Sequence, residues 1–164
     1  MTAASFQPLD IAEFWEDLNG HLIELTDAVP EDKLDWRPAP GEWSFFDIAV
    51  HVANACHHWL TNSIQDGQET TPPQPRTPSA VTVTSALVHS WARMARFLAD
   101  EDLLARRYAS PPNDPEYLDP DRFDGHFVAF HRLVHDAHHR ADILRLMDKI
   151  GAEPPVARRR RPPL

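Results

Sequence analysis

Four histidines, His131, His135, His138 and His139, fall within nine residues of the stretch FHRLVHDAHHRADILRLM. Such a cluster can serve metal binding, acid–base chemistry or only a polar helix surface. On a helix, residues four apart lie on one face, one turn above the other. His135 and His139 are spaced that way, and two imidazoles so placed can share one ion. His131 extends the stripe one turn earlier, while His138 is rotated by about 100° from His139 and faces elsewhere. Asp142, two turns after His135, is placed either to hydrogen-bond a ligand imidazole or to sit solvated.

A third ligand has to come from another element. The segment FFDIAVHVANACHHWLTNSIQD offers His51, flanked by Ala49, Val50, Val52 and Ala53, an apolar setting that suits a core histidine or a ligand. His58 lies two turns on, on roughly the same face, with His57 beside it, so spacing alone leaves the choice open. Three imidazoles would leave coordination positions for water or substrate, the pattern of a reactive site. Cys56 lies about 140° around the helix from His51, which makes it a poor fourth ligand and a better buried apolar residue.

Four amphipathic helices must position these side chains. In the first, Leu9, Phe14, Trp15, Leu18, Leu22 and Leu25 mark a stripe, with Asp10 and Glu13 spaced as a capping box and Gly20 a weak point inside. The break VPEDKLDWRPAPGEWS contains three prolines and forbids a continuing helix. Pro38 and Pro40 stiffen this turn, and Trp36 and Trp43 are expected to pack on the bundle end. The second helix starts at Ser44, with Asp47 in the capping-box position, and Gly67 offers its stop. A polar, proline-rich segment, ETTPPQPRTPS, connects to a third helix over TVTSALVHSWARMARFLAD. Leu87, Trp91, Met94 and Leu98 share one side of it. AVTVT is the sole β-like fragment, too short and isolated for a sheet. The long loop SPPNDPEYLDPDRFDG has four prolines, and loops of that length often overhang a functional site. The fourth helix runs from near Asp124 to Ile150, stopped by Gly151 and Pro154. Trp15, Trp59 and Trp91 sit at helical spacing and read as core. The expected fold is all-α, a four-helix bundle with long proline-rich connections.

Composition bounds the function. The 164 residues suffice for one domain with a real core, expected over 1–153, followed by a basic tail over 154–164. A net charge of −9 argues against nucleic acid or anionic membrane as a partner, and the run Arg158 to Arg161 reads as a solvated tail. With a single cysteine the chain forms no internal disulfide, which suits a reducing compartment. The first ten residues lack the features of a leader, and no apolar run reaches membrane-spanning length. The expectation is a soluble, cytoplasmic protein.

The stretch VPEDKLDWRPAPGEWSFFDIAVH resembles the approach to the second helix in the DinB/YfiT superfamily, and HDAHHR resembles that family's H-x-x-x-H-R on its last helix. Order, spacing and four-helix layout agree over nearly the whole chain apart from the tail. The resemblance implies a three-histidine metal site at His51, His135 and His139. Where relatives often continue H-R-G-Q, this chain has His139-Arg140-Ala141-Asp142; the ligands are spared, but the glycine and glutamine positions are not kept. By the same resemblance the protein is a metal-dependent transferase, its divalent ion (zinc, nickel, iron or manganese) holding a low-molecular-weight thiol for attack on a small-molecule electrophile in stress response or detoxification. His131, Arg140 and Asp142 are the candidates for an acid or base. The alternatives are a non-catalytic metal-binding stress protein and a metal-dependent hydrolase, which need the same histidines. Family analogy and the large apolar residues on the helices imply a homodimer.

Overall fold

A computed structural model describes residues 11–65, 75–108 and 123–156. Among them the chain is helical, with α1 over Ile11–Ala28, α2 over Phe45–His58, α3 over Ala80–Leu98, a short α4 over Glu101–Ala105 and α5 over Gly125–Ile150. The four long helices close into a ring in which α1 and α2 each pack against both α3 and α5. This is the four-helix bundle that the periodicity predicts.

Local chemistry sets the boundaries that matter to the histidines. Ser44 caps α2 reciprocally: Asp47 N donates to Ser44 Oγ at 3.1 Å, and Ser44 N donates to Asp47 Oδ2 at 2.9 Å. Asp124 caps α5 by accepting from Phe127 N at 2.8 Å. Gly151, at φ +69°, ends α5 in the left-handed region that glycine adopts without penalty. At the other end of α5, a Cβ on Gly125 would lie 2.3 Å from Leu103 O and 2.6 Å from Leu104 Cα. Only a glycine lets α4 sit against the start of α5.

The core has two parts. Around one lie Leu18, Leu22, Leu25, Ile48, Val52, Leu87, Ile143 and Met147; around the other, Trp15, Cys56, Leu60, Met94, Phe97 and Val128. Leu133 packs against both.

Several details differ from the periodicity reading. Phe14, placed in the apolar stripe of α1, is half exposed, because the buried face runs through Trp15, Leu18, Leu22 and Leu25. AVTVT forms the first turn of α3 rather than a strand, since β propensity yields to the packing of Val83 in the bundle. The second helix does not simply run on as α-helix: it widens to a π-helix at Trp59–Ile64 and ends at Gln65, a non-glycine residue at φ +52°. Leu9, Asp10, Gly67, the loop residues 109–122 and Arg158 to Arg161 lie outside the described residues.

Candidate metal centre

The bundle brings His51 on α2 together with His135 and His139 on α5. One nitrogen from each ring lies within 4.8 Å of the others. His51 Nε2 and His135 Nε2 are 2.9 Å apart, and the ring centroids of the three lie 4.5 to 5.0 Å from one another. Around a four-coordinate ion with Zn–N bonds of about 2.0–2.1 Å, ligand nitrogens sit about 3.3 Å apart. Small shifts of three side chains suffice to reach that spacing.

The opposite edges of two rings are held by carboxylates. His135 Nδ1 lies 2.9 Å from Asp136 Oδ1, and His139 Nδ1 lies 3.2 Å from Asp142 Oδ2. A proton on each Nδ1 donates to its carboxylate and leaves Nε2 with a lone pair for an ion. Asp136 is itself fixed: Arg132 Nη2 donates to its Oδ1 at 2.5 Å and to Val52 O at 3.2 Å. Both members of this ion pair are buried, Arg132 at 0% and Asp136 at 1% exposure. Arg132 Nη1 also approaches His135 Nδ1 at 2.9 Å. The two contacts at that nitrogen demand opposite tautomers, and ligation through Nε2 selects the one that donates to Asp136.

The environment favours the neutral form of His51 and His139. Burial, followed by the neighbouring His135 and His139, pushes the His51 pKa down to about 4. Burial and His135 also lower that of His139, against the opposing pull of Asp142.

Trp43, in the turn before α2, completes the surroundings. Its indole is stacked on His139 at 5.8 Å and tilted against His51 at 4.8 Å, while 46% of the residue remains exposed. Beside it opens a cleft of about 510 Å³ lined by Arg37, Trp43, Asp47, His51 and Asn54 among others. On its other side a smaller hollow reaches Asp142 and Arg145.

The remaining histidines stand outside this group. His138 is turned to solvent, its Nε2 3.5 Å from Asp142 Oδ2. His57 Nδ1 lies 2.9 Å from Arg93 Nη1, and His58 is exposed beside Asn62. Of the α2 histidines that spacing left open, packing brings His51 to the pair on α5 and leaves His57 and His58 outside it. His131 packs among aromatics, 4.9 Å from Trp59 and stacked with Phe127 at 6.2 Å, with its ring 6.3 Å from that of His135. Asp142 takes the place of a hydrogen-bond partner to the His139 imidazole. Cys56 is buried, its Sγ directed at Ser90 O.

Sequence reasoning missed the Arg132–Asp136 pair and gave Trp43 only a packing role. A signal for the pair was present: the buried stripe of α5 runs through Val128, Arg132, Asp136, His139, Ile143 and Met147. Two opposite charges four residues apart inside an apolar stripe point to a buried ion pair. Nothing in the sequence orients the Trp43 ring.

The description "DinB superfamily" fits residues 14–143, and the chain belongs to that superfamily. It is similar in fold to a DinB-like protein from Bacillus cereus ATCC 10987, with a TM-score of 0.70 and 18% identity over 89% of this chain and 94% of the other. A DinB-like protein from Bacillus subtilis, YjoA, superposes with a TM-score of 0.68 and 16% identity, covering 93% of this chain and all of the other. No curated protein matches the sequence.

Proposed function

We propose that this member of the DinB superfamily binds one divalent ion through His51, His135 and His139 and acts as a metal-dependent transferase of a low-molecular-weight thiol. The observation that supports this reading is the convergence of three imidazole nitrogens within 4.8 Å, two of the rings braced by carboxylates on the far edge. The donor set fits a borderline divalent ion, because imidazole suits zinc, nickel and iron alike. Such an ion, when bound, supplies Lewis acidity that lowers the pKa of a thiol or water at its open positions.

The chain's own residues supply the rest. His51, His135 and His139 contribute no negative charge, so the full charge of the ion acts on whatever occupies the open positions. Asp136 and Asp142 fix two ring orientations, and the Arg132 guanidinium neutralises Asp136 inside the bundle. Trp43 packs against His51 and His139, and the cleft that it lines together with His51 gives a small molecule access.

The test is metal analysis of the purified protein followed by a screen of thiols against electrophiles. Turnover that needs both metal and thiol supports the proposal. Turnover with water alone selects metal-dependent hydrolysis instead. A metal-replete protein inert in every combination is a non-catalytic metal-binding protein.

A further inference from the structure

Three apolar side chains line the cleft that borders His51, and none of them is a ligand. Trp43, in the turn before α2, shares this lining with Phe46 and Val50, which lie one turn apart on α2. Phe46 and Val50 pack against the core and are only partly buried, and the Trp43 residue is half exposed. Single exposed apolar residues need no explanation, but three at one opening make a surface that gains from being covered. The space of about 510 Å³ falls within the range of small-molecule sites, about 300–1,000 Å³.

The charges narrow the guest. Arg37 and Asp47 are the charged members of the lining, and they cancel: Arg37 Nη1 donates to Asp47, whose Oδ2 also accepts from Ser44 N at 2.9 Å. The wall is neutral in sum. The three imidazoles add no charge either, so an ion held by them keeps its full charge and favours an anionic donor. Trp43 ties the two demands together. Its indole centre lies 4.8 Å from the His51 ring and 5.8 Å from the His139 ring. A group lying on the indole therefore stands within a few bonds of an ion at those rings.

Resting on the reading of the three histidines as a metal centre for a thiol, we infer that the cleft selects a thiol with an apolar body. Its sulfur meets the ion, and its hydrocarbon lies along Trp43, Phe46 and Val50. On binding, the thiol gives its proton to solvent, and the thiolate supplies the negative charge that the ligand set lacks. A hydrophilic thiol reaches the ion equally well but leaves the apolar wall uncovered.

Two thiols of similar acidity, benzyl mercaptan and mercaptoethanol, separate the body from the sulfur. Each is titrated into the cobalt-loaded protein as wild type, Trp43→Ala and Val50→Thr, following the thiolate-to-cobalt absorption band. Cobalt content and circular dichroism are measured on every sample. Wild type should prefer benzyl mercaptan by about tenfold, the effect of covering one face of a phenyl ring. Trp43→Ala should remove most of that preference. Val50→Thr, which keeps the shape of valine, should lower it about threefold, the worth of one methyl group. A fall in either variant upholds the inference. Equal affinities in wild type overturn it, as does a preference unchanged in both variants, or in Val50→Thr alone if Trp43→Ala loses its cobalt. A cobalt-bearing protein with equal affinities thus keeps the metal and loses the apolar subsite. If the protein takes up no cobalt, benzyl alcohol is titrated by NMR in place of the thiols. Shifts at the Trp43 indole N–H and the Val50 methyls then uphold the apolar subsite and remove the metal reading, and silence at both removes the two together.

Discussion

Asp136→Asn puts the buried network under His135 to the test. Arg132 is wholly buried, and its nearest counter-charge is Asp136 at 2.5 Å. Removing that charge leaves a guanidinium inside the bundle with the Val52 carbonyl as its remaining backbone acceptor. Breaking a buried ion pair from one side costs about 3–5 kcal/mol. For a chain of this size, 1 kcal/mol corresponds to about 2–4 °C, so the melting temperature should fall by about 6–20 °C. The same carboxylate orients His135, and loss of such a partner lowers metal affinity by about 10- to 100-fold. The two effects separate in the double variant Arg132→Met/Asp136→Leu. Replacing a buried pair by apolar side chains of similar volume is often neutral or stabilising, so thermal stability should return toward wild type. Metal affinity should stay low, because leucine offers His135 Nδ1 no acceptor. Calorimetry and metal titration on the three proteins read both quantities. An Asp136→Asn protein within about 1 kcal/mol of wild type would refute the buried-charge argument. A double variant that binds metal as tightly as wild type would refute the orienting role.

Alanine at His51, His135 or His139 should each sharply lower metal occupancy measured by elemental analysis. His138→Ala and His57→Ala should change it little, and the His58 and His131 variants should also retain metal, since neither ring joins the cluster. Loss of metal in His58→Ala with retention in His51→Ala would reassign the α2 ligand. An ordinary histidine would release metal as pH falls through about 6.5, but the depressed His51 pKa of about 4 moves proton competition at that ligand lower. Metal titrations should therefore show occupancy falling as pH drops, with proton competition at His51 itself confined to the range near pH 4. In the metal-free protein the sign is the same: the unfolded chain takes up protons first between pH 6.5 and 4, so the contribution of His51 to stability is full above 6.5 and is lost as pH falls toward 4. Gly125→Ala sets a Cβ against the backbone of Leu103 and Leu104 and should destabilise by about 1–3 kcal/mol in chemical denaturation.

Much of this protein is legible along one dimension. The boundaries of α2 and α5 follow from residues that act on their own neighbours: Ser44 with Asp47, Asp124 with Phe127, and Gly151 at its left-handed turn. The pairing of His135 with His139 is likewise a property of one helix, because four residues make one turn whatever surrounds it. The ligand on α2 is different. His51 and His58 share a face by spacing, and the distinction between them comes from where α5 crosses α2, a matter of side-chain volumes in two core clusters. The same limit hides the face of Phe14: a stripe tells which residues are apolar, while only the neighbouring helices decide which edge of the stripe is covered. AVTVT shows the opposite failure, β-branched residues drawn into a helix because burying Val83 outweighs their intrinsic preference. Sequence fixes what each helix offers. Which offers meet, and so which three histidines face one another beside a buried Arg132–Asp136 pair, is decided by packing between helices that bring together His51 and His135, 84 residues apart along the chain.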